Sequence, residues 1–192
     1  MKLVVFLGNA GLEYSKNRHN LGFMIGDFYA KQQGIKWKFA SKFAADLSTF
    51  QPFQVKGAGQ VQDSLKNEGE KVILVKPQLF YNRTGEVVAK IAGFYKIDEQ
   101  DILAVCDDFN LDFGKIRYRK KGSDGGNNGL KSLVAQFGEK FARVRIGTGS
   151  KLRQQIGETD FVLSNFTKDE VEKLPEIYEK VIEIVDDFIK SA

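Results

Sequence analysis

The stretch LGNAGLEYSKNRHNLG, residues 7–22, decides how this chain is read. A continuous apolar run, Leu3 to Leu7, leads into it, as expected of a strand covered on both faces. Leu21, Met24, Ile25 and Phe28 lead out of it at helical spacing, and Gly34 is a suitable stop. A polar, glycine-punctuated loop between a buried strand and a helix is where open α/β sheets place their chemistry. This loop carries Asn9, Tyr14 and Asn20, polar groups able to position a ligand, and His19, the only histidine in the chain.

The same alternation continues downstream. Phe43 to Phe50 has the character of a strand, and GAGQVQDSLKNEGE (57–70) that of an exposed hairpin or long loop. Val72 to Val75 is a second buried strand, closed by Pro77. A helix follows with Thr84 as its expected N-cap and Val87, Val88, Ile91 and Tyr95 on one face. Ile102 to Cys106 is a third buried strand, expected to stop at the acidic pair Asp107 and Asp108. Lys115 to Arg119 alternates, with Ile116 and Tyr118 turned to the core.

The glycine-rich KKGSDGGNNG (120–129) precedes a helix with Leu130, Leu133, Val134 and Phe137 aligned, and Ala142 to Ile146 is a further strand. Thr167 and Glu170 form a capping-box pattern ahead of the last helix. Its apolar stripe runs through Val171, Leu174, Tyr178, Val181, Val185 and Phe188, with Pro175 expected to kink or divide it. Strands alternating with helices predict an α/β fold in one domain spanning residues 1–192.

Composition narrows the function classes. The chain of 192 residues is 42% hydrophobic and 28% charged, as in ordinary globular proteins, and has no apolar run of the roughly 18–20 residues a transmembrane helix needs. KLVVFL at the N-terminus is too short for a signal peptide, so a cytoplasmic protein without membrane attachment is expected. A single cysteine precludes an intrachain disulfide, and without a Cys/His cluster no metal is expected. The net charge of +4 is mild, but the acids gather after Glu158 and leave the middle basic, a distribution that suits a polyanion on one face.

An imidazole titrates near neutrality, so His19 can take a proton from water, provided a carboxylate orients it; Asp107, following a buried strand, is the candidate. A structural histidine and a capping aspartate are the plainer readings. Asn9, Asn82 and Asn128 follow buried strands or open helices, and neutral amides can hold a carbonyl or a developing oxyanion without adding charge. There is no G-x-S-x-G elbow, no phosphate loop and no G-x-G-x-x-G dinucleotide spacing, and Cys106 reads as a buried strand residue.

Four motifs in order, LGNAGLEYSKNRHNLG (7–22), KPQLFYNRTG (76–85), CDDFNLDFG (106–114) and GGNNGLKS (125–132), resemble the bacterial-type peptidyl-tRNA hydrolase family, with weaker similarity through FARVRIGTG and DFVLSNF. The resemblance implies a twisted mixed sheet flanked by helices, and hydrolysis of the ester joining a peptide to the 3′ end of tRNA, without metal or cofactor, by a monomer. It implies His19 as general base, Asp107 as its orienting carboxylate, and Asn9 and Asn82 as groups that bind the peptide carbonyl or polarise water. Asn128 would hold substrate near the acceptor end and Tyr14 would place the tRNA 3′ end, with Tyr81 also at the substrate-binding surface. The chain departs from the family pattern at Ala10 (usually proline), Tyr81 (methionine), Cys106 (histidine), and Asp124 and Asn127 (histidines). The connection from Ala45 to Lys71 is longer than usual. On this reading Arg117, Arg119, Lys120, Lys121, Lys131, Arg143 and Arg145 are candidates for tRNA phosphate contacts. A non-catalytic RNA-binding protein and an esterase of small acyl esters are the alternatives.

Overall fold

The computed structural model describes residues 1–52 and 71–191. The loop or hairpin expected over 57–70 lies outside the described residues. Four parallel strands form the middle of the sheet: β1 (Lys2–Phe6), β4 (Val72–Pro77), β5 (Ile102–Asp112) and β7 (Ala142–Gly149). β2 (Lys38–Ala40) and β3 (Ala45–Phe50) are added antiparallel beyond β4, and β6 (Ile116–Arg119) antiparallel beyond β7, in the order β2-β3-β4-β1-β5-β7-β6.

The apolar runs serve two cores at once, because successive side chains of a strand leave by opposite faces. Val4, Phe6, Val72, Leu74, Leu103 and Val105 pack beneath α1 (Leu21–Gln32) and the long C-terminal helix α6 (Lys168–Lys190). Leu3, Val5, Ile73, Val75, Ala104 and Cys106 pack on the other face, beneath α2 (Thr84–Tyr95) and α3 (Asn128–Phe137). Two short helices, α4 (Leu152–Ile156) and α5 (Glu158–Leu163), link β7 to α6.

Three sequence expectations are corrected. β5 does not stop at the acidic pair; Asp107 and Asp108 stay paired with Ile146 and Gly147 of β7, and the register shifts only beyond Asp108. Both carboxylates are therefore held by a rigid central strand. Thr84 is the first helical residue of α2 and not its cap, and its hydroxyl donates back to the Tyr81 carbonyl at 2.8 Å. Pro175 does not divide α6, which runs unbroken through it from the capping box of Thr167 and Glu170. Pro175 and Val171 both lie on the exposed side, so the Val171 carbonyl freed by the missing N–H faces water. Val171 thereby leaves the stripe, and Ile177, Ile182 and Ile189 join it.

Candidate active site

The C-terminal ends of β1, β4 and β5 converge on one spot, and the loops that follow them supply the polar groups. His19 sits on a 3-10 turn, Arg18–Asn20, just ahead of α1. Its Nδ1 lies 2.8 Å from Asp107 Oδ1 of β5. An ionised carboxylate only accepts, so Nδ1 carries the proton and Nε2 is left with a lone pair. The carboxylate is 1% exposed, whereas His19 is partly open to solvent.

The His19 loop is pinned by two neighbours of the histidine. Asn20 closes it from within: its Oδ1 accepts the Asn9 backbone N–H at 2.8 Å, and its Nδ2 donates to the Asn9 carbonyl at 2.9 Å. Arg18 fastens it to the far end of the chain. Its side chain is 0% exposed, lies between the rings of Phe161 and Phe166, and bonds Glu170 of α6 through two nitrogens at 2.9 and 2.7 Å. The Arg18 N–H adds a bond to the Ser164 carbonyl. Burial alone would push the Glu170 carboxyl up, but its bonds from Arg18 and from the Thr167 backbone outweigh that and hold it below the usual glutamate range.

Tyr81 opens the 3-10 turn Tyr81–Arg83 after β4, and its backbone N–H donates to Asn9 Oδ1 at 2.9 Å. The ring lies flat on the His19 imidazole, with centroids 3.6 Å apart and 11° between planes. Its hydroxyl donates to Asp107 Oδ1 at 2.8 Å and accepts from Asn127 Nδ2 at 3.0 Å. The ring fits because position 129 is glycine: a Cβ there would come within 2.6 Å of Tyr81. Asn127 Nδ2 also reaches the Asp107 carbonyl at 3.1 Å, while its Oδ1 caps α3 by accepting from Leu130 N–H at 3.0 Å.

The glycine-rich loop is anchored from β7. Arg143, 1% exposed, stacks on Phe141 and donates to the carbonyls of Gly122, Ser123, Glu139 and Phe141. Arg145 pairs with Asp108 at 2.9 Å and donates to the Gly125 carbonyl. Arg143 is thus withdrawn from the phosphate contacts expected of it, since it is buried and both of its Nη nitrogens donate inside the fold. Arg119, Lys120, Lys121 and Lys131 remain exposed.

His19, Asp107 and Asn9 are brought together around Tyr81, with Asn82 next in sequence and Asn128 beside Asn127. Asn82 and Asn128 are exposed at the rim, and Tyr14 is half-buried on the 3-10 turn Leu12–Tyr14. Tyr81 itself is 4% exposed, so its hydroxyl turns to Asp107 and not to a substrate surface. Sequence reading missed Arg18, Glu170 and the inward role of Asn127. Only the last had a signal, an asparagine directly ahead of an apolar helix, the usual N-cap position. Cys106 is fully buried, and burial with the nearby Asp107 charge pushes its thiol well up, so it stays protonated. A cleft of about 680 Å³ opens at the ends of β5 and β7, walled by Phe109, Asn110, Gly149, Lys151 and Arg153. No helix among the described residues is long and apolar enough to cross a membrane.

The family model described as peptidyl-tRNA hydrolase matches residues 3–192. The peptidyl-tRNA hydrolase of Fusobacterium nucleatum is 42% identical over 183 residues, 94% of this chain and 85% of that protein. That of Desulfitobacterium hafniense is 40% identical over 188 residues, 96% and 91% of the two chains. A crystal structure of a peptidyl-tRNA hydrolase with N-propanol superposes with a TM-score of 0.81 at 30% identity, covering 99% of this chain and 89% of that one. The Acinetobacter baumannii enzyme gives 0.73 at 29% identity, with 100% and 95% covered.

Proposed function

The chain belongs to the peptidyl-tRNA hydrolase family, and we propose that it performs the family's ester cleavage on peptidyl-tRNA with His19 as the general base. The observation that carries this reading is the 2.8 Å bond between His19 Nδ1 and the buried Asp107 carboxylate. It fixes the tautomer and leaves Nε2 as the one basic atom at the mouth of the site.

Nε2 takes a proton from water as its oxygen attacks the ester carbonyl carbon. The tetrahedral intermediate collapses, the bond to the 3′ oxygen of the terminal ribose breaks, and that oxygen receives the proton from the imidazolium. The products are a peptide carboxylic acid, which loses its proton to bulk water, and a tRNA with a free 3′ hydroxyl. Asp107 stabilises the transient imidazolium and keeps the ring from turning.

Asn9 has committed its Oδ1 to Tyr81, so its Nδ2 protons are what it offers to the carbonyl or its developing oxyanion. Asn82 and Asn128, exposed on either side, hold the substrate at the rim. The cleft beyond Asp108 gives room to the acyl group. The exposed Arg119, Lys120, Lys121 and Lys131 meet tRNA phosphates, so KM rises with salt. Cytoplasmic action as a monomer fits this reading.

The test is cleavage of an N-blocked aminoacyl-tRNA. His19→Ala loses about 10²–10⁴-fold in kcat, the usual worth of a positioned base. A folded His19→Ala protein that cleaves at the parent rate moves the base elsewhere. A parent that binds this substrate and leaves it whole restores the RNA-binding alternative.

A further inference from the structure

We propose that Tyr81 is a positioning residue that sets the charge state of His19: its hydroxyl shares the Asp107 carboxylate, so that Asp107 orients the imidazole without holding it protonated. The inference rests on the reading of His19 as the base.

Three observations carry it. His19 Nδ1 and the Tyr81 hydroxyl converge on the same oxygen, Asp107 Oδ1, each at 2.8 Å, while Oδ2 is buried without a hydrogen-bond partner among the described residues. The negative charge that would stabilise an imidazolium is therefore shared between two donors at one atom. Next, the direction of the chain of bonds is fixed from outside the site. The Leu130 N–H at the start of α3 must find an acceptor, so Asn127 turns its Oδ1 to it and its Nδ2 inward. An amide N–H can only donate, so the Tyr81 oxygen accepts from Asn127 and its own proton is left for Asp107. Third, the ring is clamped flat against the imidazole, which keeps the two donors from moving apart.

The other charged groups near His19 are committed to one another: Asp108 of β5 to Arg145 of β7, and Arg18 of the same turn to Glu170 of α6. Burial, reinforced by the Asp107 charge, pushes the Tyr81 hydroxyl well up, so it remains a donor across the working range of pH.

His19 is the only histidine, so in tag-free protein its ring-proton NMR signal reports its titration directly. Tyr81→Phe keeps the stacked ring and removes the hydroxyl. The expected result is a His19 midpoint higher by about one pH unit, since a hydrogen bond to a charged group is worth about that much. The acid limb of kcat/KM should move with it. Asn127→Ala, which releases the hydroxyl, shifts the midpoint the same way by less. Tyr81→Leu, which removes ring and hydroxyl, should match Tyr81→Phe. An unchanged midpoint in folded Tyr81→Phe overturns the proposal, as does a shift found only in Tyr81→Leu, which would assign the effect to stacking. If the midpoint moves and the acid limb of the rate does not, Tyr81 still tunes His19, and it is the general-base reading that fails.

Discussion

Two loops flank the bonded pair of His19 and Asp107, and each is held by a buried arginine, yet the two arginines are held differently. Arg18 carries the His19 loop to Glu170, a side chain on the last helix. Arg143 carries the glycine-rich loop on backbone carbonyls, with no carboxylate among its hydrogen-bond acceptors. A side-chain partner can be lost or exchanged by substitution, whereas a carbonyl cannot. The first loop is therefore tied by sequence and the second by chain geometry, and their responses to mutation should differ in kind.

The sharpest break is Glu170→Ala. It leaves the Arg18 cation buried without its partner, and removing one member of a buried pair costs about 3–5 kcal/mol. Urea denaturation should show that loss, and kcat should fall with it because the same turn carries His19. Arg143→Met is smaller, about 1–3 kcal/mol, because the loop carbonyls it abandons can turn to water. Smaller still is the double exchange Arg18→Met with Glu170→Leu. Replacing both members of a buried pair by apolar groups is often close to neutral, so most of the Glu170→Ala loss should be recovered. Failure of that recovery would mean Arg18 does more than balance a charge.

Acid separates the two anchors without mutation. Glu170 has a folded-state pKa below its unfolded one, so its contribution is complete above the usual glutamate value of about 4.3 and is lost as the pH falls through the lower, folded value. Burial lowers the Arg143 pKa too, but a guanidinium stays charged through this acid range. Stability measured from pH 6 to pH 3 should therefore fall less steeply in the double exchange than in the parent, and as steeply in Arg143→Met as in the parent.

The parts of this molecule legible in its sequence are those that follow from local pattern. Apolar runs gave β1, β4, β5 and β7 because strands buried on both faces have no polar positions to confuse the reading. The pairing of His19 with Asp107 was legible because the chain has one histidine and Asp107 directly follows a buried apolar run. The roles of Arg18 and Glu170 were not, since a partner 152 residues away leaves no local trace and Glu170 already had an evident task in its capping box. Arg143 was misread for a related reason. In an alternating run such as Arg143-Val144-Arg145, a charged residue ordinarily marks the solvent face, and only the return of the glycine-rich loop over β7 covers it. Continuation of β5 through Asp107 and Asp108 was hidden because acids normally end strands, and here tertiary partners on both sides receive them.

The bond between Arg18 and Glu170 also has an order in time. The His19 loop is synthesised well before α6, and chains fold from the N-terminus as they emerge. Until α6 is made, Arg18 has no Glu170 carboxylate to enter with, and the turn bearing His19 lacks one of its two anchors. A protein that cuts peptides from tRNA is itself a peptide on tRNA throughout its own synthesis. With the His19 turn anchored by α6, the arrangement around His19 is completed only once that helix has been made.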